Sequence, residues 1–195
     1  TPNTYVRTAK VLIDESSQDA AMRNLGASTA NMMRLRSSNT VMNEIEAFSS
    51  PDLMEVVVDR LGLQTKYVEK QFLRKVELYK NSPIEMVLAG ENPHSGFSFT
   101  VSNAKNGNVT LSDFRMRDEK IKETVKGHLG DTLKTPFGSV VIYPTENIDN
   151  FSDDIVVSWA NSMTRAKSYC GKMNVSLSGK ETSVIVLSME GTYPA

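Results

Sequence analysis

From Ile84 onward the chain is a succession of short runs in which apolar and polar residues alternate. Ile84, Met86 and Leu88 form the first, and Phe97, Phe99 and Val101 interleave with Ser98, Thr100 and Ser102 in the second. Val109 and Leu111 continue the pattern, followed by Ser139–Tyr143, Ile155–Trp159, Met173–Leu177 and Val184–Met189. Alternation at period two marks strands with one face against a core. Asn106-Gly107 between two such runs is a hairpin signal, and the short Gly179-Lys180 connection implies antiparallel pairing of the last two strands. Tyr5–Ile13 reads as a further strand at the start of the chain.

Helical signals lie mainly before this region. Leu35, Val41, Met42, Ile45 and Phe48 recur at helical spacing, which predicts a helix over 28–48 after a turn-like stretch at 14–20. The methionines between Met22 and Met42 fit as core filler. Ser50, Pro51 and Asp52 form a strong helix start, and Gly62 supplies the stop, so Pro51–Leu61 is the clearest helix, with Leu53, Val57 and Leu61 in one stripe. Met163–Tyr169 reads as a short helix, and 67–79 fits either helix or extended chain. The mixed charges of 115–126 read as a solvated face. The expected fold class is α+β, a mixed, largely antiparallel sheet with helices packed on one face, as one domain over residues 1–195.

Charge narrows the partners. Twenty-two basic and 23 acidic residues give a net charge of -1, which offers no basic footprint for nucleic acid. At 39% hydrophobic and 23% charged the chain is an ordinary globular one. No apolar run approaches the roughly 20 residues that span a bilayer. The chain opens without Met or a signal segment, which suggests a piece of a longer protein. The single cysteine, Cys170, rules out an internal disulfide and fits a half-buried position near a helix end.

The residues that carry chemistry do not converge in sequence. His94 and His128 each sit in a turn-like stretch without a His or Cys at metal-ligand spacing. There is no Gly-x-Ser-x-Gly elbow and no phosphate-binding loop; Gly171-Lys172 and Gly179-Lys180 lack the glycine spacing and the hydroxyl residue. Asp153-Asp154 reads as a strand lead-in, and Glu44 and Glu46 point to different sides of a helix. The glycosylation-type triplets at Asn108 and Asn174 fall inside expected strands. No catalytic, cofactor-binding or metal-ligating residue is assigned. The polar loops 92–96 and 103–108 have the composition to touch sugar hydroxyls.

Several motifs in order resemble the extracytoplasmic domain of Wzz-type polysaccharide co-polymerases, or chain-length determinants. Tyr5–Ile13 resembles the strand after that family's first membrane helix. Asn43-Glu44-Ile45 through Ser50, then Val56–Leu63, is similar to its "N-E-I-x-x-L-x-S … V-V-x-x-L-x-L" segment. Glu77–Ile84 looks like the "E-L-Y-x-x-S-P-I" run of the Bacteroidetes branch, and Thr135-Pro136-Phe137-Gly138 like its "T-P-F-G". Thr182–Ser188 resembles a "T-S-V-I-x-L-S" strand, and Tyr193-Pro194-Ala195 the start of a long helix. The resemblance implies a Wzz-like base domain in the periplasm, held to the bacterial inner membrane by helices flanking this chain. It implies homo-oligomers in the intact protein that regulate the length or export of a capsule, O-antigen or exopolysaccharide. The implied partners are a separate polymerase and a lipid-linked glycan. It implies no catalysis and no cofactor in this segment; a tyrosine kinase domain, where present, lies elsewhere. The alternatives are an extracytoplasmic glycan hydrolase and a ligand-binding sensor domain.

Overall fold

The computed structural model describes residues 5–13, 41–71, 74–93, 95–117, 119–152, 154–179 and 182–191. The turn expected at 14–20, residues 28–40 of the expected first helix, and Met22, Met32 and Met33 lie outside them. Residues 41–48 are helical (α1), with Val41 buried and Met42 exposed.

Helix α2, Pro51–Leu61, forms where its signals predict. The Ser50 hydroxyl accepts from the Asp52 amide, Pro51 occupies the first turn, and Gly62 takes φ 64° to end the helix. The stripe buried by α2 is Met54 and Val58, which pack on Ala166 of α3, Ser162–Cys170. Leu53, Val57 and Leu61 are instead partly exposed. The Val56-Val57-Val58 run makes the helix apolar on more than one side, so spacing alone does not select the buried face.

Every strand pairing described is antiparallel, and the strands divide into three sheets rather than one mixed sheet. In the first, β1 (Tyr5–Leu12) and β12 (Met173–Leu177) flank β13 (Val184–Gly191). In the second, β4 (Ile84–Leu88) and β9 (Thr132–Thr135) flank β10 (Gly138–Pro144). The third has seven strands. Its order is β3 (Arg74–Glu77), β2 (Thr65–Gln71), β11 (Ile155–Trp159), β5 (Phe97–Ser102), β6 (Asn108–Met116) and β7 (Glu119–Ile121). The seventh strand, β8 (Val125–His128), pairs with the earlier part of β6. The ambiguous segment after Gly62 is therefore the β2–β3 hairpin. The charged run 115–126 is largely exposed, as expected, but holds β7 and the start of β8. Gly127 lets β8 approach β9, because a side chain there would collide with Leu133.

The main core lies between the seven-stranded sheet and the β4–β10–β9 sheet. Phe99, Val101, Leu111, Phe114 and Val157 on one side meet Ile84, Met86, Leu133, Val140 and Ile142 on the other. Phe137, in the tight β9–β10 turn, reaches across to Phe97 at 4.2 Å between ring centroids and meets Phe114 edge-on at 5.5 Å. The Tyr67 hydroxyl accepts from the Met86 amide at 2.8 Å and so ties the two sheets by a hydrogen bond. A second, smaller core joins α2, α3 and Met173 of β12.

The chain leaves the second core at Gln64 and returns at Ala160, and these positions are adjacent. Thr65 pairs with Trp159, and the Ala160 amide donates to the Gln64 carbonyl at 3.1 Å. Arg165 of α3 donates to the carbonyls of Gln64 (2.8 Å) and Ser158 (3.2 Å), clamping the outgoing and incoming strands together. Residues 65–160 thus form a β-rich excursion from the three-stranded β1–β13–β12 sheet and its helices.

Two outcomes test this packing. Phe99→Ala, in a fully buried site, is expected to cost about 3–5 kcal/mol by urea denaturation. Burial pushes the Tyr67 phenol up to about 12, against the opposing Met86 hydrogen bond and with help from the Glu85 carboxylate. Its folded value lies above the ordinary value of 10.0, so its stabilisation is complete below that pH and is lost as pH rises towards 12. That loss, roughly 3 kcal/mol, should be missing from the alkaline stability profile of Tyr67→Phe.

Candidate functional site

A connected polar cluster lies on the outer face of the seven-stranded sheet. Lys70 of β2 donates to the Thr100 hydroxyl at 3.0 Å and sits 3.6 Å from the Asp113 carboxylate. Thr100 is 2% exposed although it points away from the aromatic core, and it donates onward to Asp113. Lys120 of β7 meets the other Asp113 oxygen at 3.2 Å. One carboxylate thereby links strands β2, β5, β6 and β7.

Asp113 reaches this position through a bulge. It takes φ 53°, and the β5–β6 register shifts between Ser98 and Thr100 opposite it. The shift has a sequence signature that the alternation reading passed over. Core-facing residues of β6 are Val109 and Leu111, then Phe114 and Met116, so the alternation slips by one at Asp113. The Lys120 hydrogen bond, helped by the charges of Lys120 and Lys70 and opposed by slight burial, holds the Asp113 carboxyl below its ordinary value of 3.8.

Two shallow clefts flank the cluster. The larger, about 430 Å³, is lined by Lys70, Asn103, Lys105, Asn106, Ser152 and Asp154, together with the buried Phe151. The polar loop 103–108 singled out in the sequence therefore contributes three cleft residues. Asp154 accepts from the Ser102 hydroxyl at 2.6 Å, and its carbonyl accepts from the Lys70 amide. The second cleft, about 340 Å³, lies where β7 and β8 part, between Ser112, Asp113, Lys120 and the 121–124 segment.

Other residues examined in the sequence stay apart. His94 and Asp153 lie outside the described residues. His128 is exposed at the end of β8, with Nδ1 3.3 Å from Asp131. Ser95, in the 92–96 loop, accepts from Arg117 at 3.2 Å. Cys170 is half-buried at the end of α3, and burial pushes its thiol up, away from the reactive thiolate. Asn108 and Asn174 both lie in strands, as the alternation implied. Among the described residues no three His, Cys, Asp or Glu side chains lie close enough to share a metal ion. No described helix is long and apolar enough to cross a membrane.

The cluster is chemically one of charge holding and hydrogen bonding. Asp113→Asn should preserve the bulge, since Asn tolerates positive φ, and should flatten the acid limb of the stability curve. The sign follows from the lowered carboxyl: its stabilisation is present above the ordinary value and disappears as pH falls through the folded one. Asp113→Ala adds backbone strain of about 1 kcal/mol, so urea denaturation should rank it below Asp113→Asn at neutral pH. No family model matches the chain, and no curated protein matches it in sequence.

Proposed function

We propose that this chain is the periplasmic, Wzz-like domain of an inner-membrane polysaccharide co-polymerase, acting by shape and assembly on the length of a surface polysaccharide. The observation that carries the proposal is the pairing of β1 with β13. Tyr5 stands opposite Gly191, so segments joined to the two ends of the described chain start from one point. That suits a domain suspended between two neighbouring membrane helices. The ordered motifs from Tyr5 to Ser188 support the same assignment. The Thr135–Gly138 motif makes the turn that opens β10, and Val184–Ser188 runs along β13.

The site chemistry leans the same way. A glycosidase acid needs a carboxyl held up near neutral pH. The carboxyl at the centre of this cluster is held down by its lysines. The clefts are shallow and their linings mostly polar, unlike the apolar pocket of a small-molecule sensor.

Disruption of the gene in its bacterial host is the direct test, read by gel separation of the surface polysaccharide. The expected result is loss of the modal length, restored by the intact gene. An unchanged length distribution would refute the proposal, as would a parent protein lacking apolar segments of about 20 residues on each side.

A further inference from the structure

The register of the seven-stranded sheet sorts its side chains sharply. One face carries Tyr67, Phe97, Phe99, Leu111, Val157 and Trp159 into the core. Across the other face run two rows of cross-strand neighbours. Lys75, Lys70, Asp154, Ser102, Thr110 and Lys126 stand opposite one another in sequence along the first. Ser158, Ser98, Arg115 and Lys120 continue the second. Thr100 and Ser112 lie between the rows. At one corner Lys66 and Glu77 pair at 3.3 Å, beneath the Tyr169 ring.

Leaving out that internally paired corner, the described residues place five cations (Lys70, Lys75, Arg115, Lys120, Lys126) against two carboxylates (Asp113, Asp154), a surplus of three positive charges (5 − 2) on a chain whose net charge is -1. Asp113 is already engaged by Lys70 and Lys120. Among the described residues no carboxylate lies within ion-pair distance of Lys75, Arg115 or Lys126, and all three are exposed. Six strands side by side make the face roughly 24 Å wide. Its floor is small hydroxyl side chains.

We propose that this outer face, from β3 to β7 and β8, is a docking track for an acidic polysaccharide. Exposed cations supply attraction to carboxylates spaced along a chain, and Ser, Thr and the Asn103 and Asn106 amides at the rim supply short hydrogen bonds to sugar hydroxyls. Single-stranded nucleic acid is disfavoured because the described aromatics of the sheet strands point inward, away from this face, and offer no platform there for base stacking. An anionic membrane is disfavoured because, among the described residues, no apolar side chain protrudes from the face to insert; Val68 and Val156 are half-buried within it. The choice of a polysaccharide rests on the co-polymerase proposal; the anion preference rests on the charges alone.

The test uses the whole 195-residue chain in native gels cast with polygalacturonate or with neutral dextran. Polygalacturonate should retard it, less so as salt is added, and dextran should not. Replacing Lys75, Arg115 and Lys126 together by Gln should weaken retardation about tenfold without changing the melting temperature, since none of the three has an ion-pair partner among the described residues. Equal retardation of the triple variant, equal binding to dextran, or tighter binding to a thymidine oligonucleotide or to phosphatidylglycerol vesicles would overturn the inference. Absence of polygalacturonate binding removes this track and leaves the co-polymerase proposal standing on the polysaccharide length assay; an unchanged length distribution with binding intact does the reverse.

Discussion

The two cores of this protein are held in fixed relation by the junction at Gln64 and Ala160. A single guanidinium, from Arg165, donates to carbonyls on both the outgoing and the incoming strand. Beside it the Gln64 side chain donates to Asp59 and Ser162, which binds α2 to the start of α3. Arg165 is itself half-buried, and desolvation shifts its guanidinium downward. Its Nε is buried without a hydrogen-bond partner among the described residues. The arrangement is costly to each group separately and holds only while both backbones remain at the neck. Because the first residue of β2, Thr65, pairs with the last of β11, Trp159, the rest of the seven-stranded sheet inherits its register from this point.

From that register follows the separation of labour between the two faces of the large sheet. The inward face collects the aromatics, whose stacked and edge-on contacts with Phe137 join it to the smaller sheet. The outward face is left to hydroxyls and charges. The bulge at Asp113 serves both: it brings Phe114 into phase with the core and turns a carboxylate toward two lysines that would otherwise repel each other. The polar outer surface is thus a by-product of how the core is aligned.

Much of the fold was legible because strands with one buried face announce themselves. Phe97–Ser102, Ile155–Trp159 and the final hairpin follow their alternation closely, and α2 follows its caps. The short strands β7, β8 and β9 were not legible: each sends only one or two apolar residues inward, such as Ile121, Val125 and Leu133, among charges that any loop would carry. The β2–β3 hairpin hid because Tyr67 and Val68 sit side by side on opposite faces. The division into three sheets depends on pairings between residues far apart in sequence, which local pattern does not encode. The loop 103–108 was singled out by composition and does line a cleft, whereas Asp113 was missed because a lone acidic residue in a strand reads as solvent-facing.

The antiparallel pairing of the first and last strands has a mechanical consequence. Tyr5 and Gly191 form the outermost rung of that ladder, so forces drawing the two ends apart act on it first. Such a load peels hydrogen bonds one rung after another toward Leu12 and Val184, instead of shearing all of them together. The sheet would open like a zip under modest lateral tension, and the aromatic core of the central excursion, joined to it by the neck at Gln64 and Ala160, would be the last part to feel it.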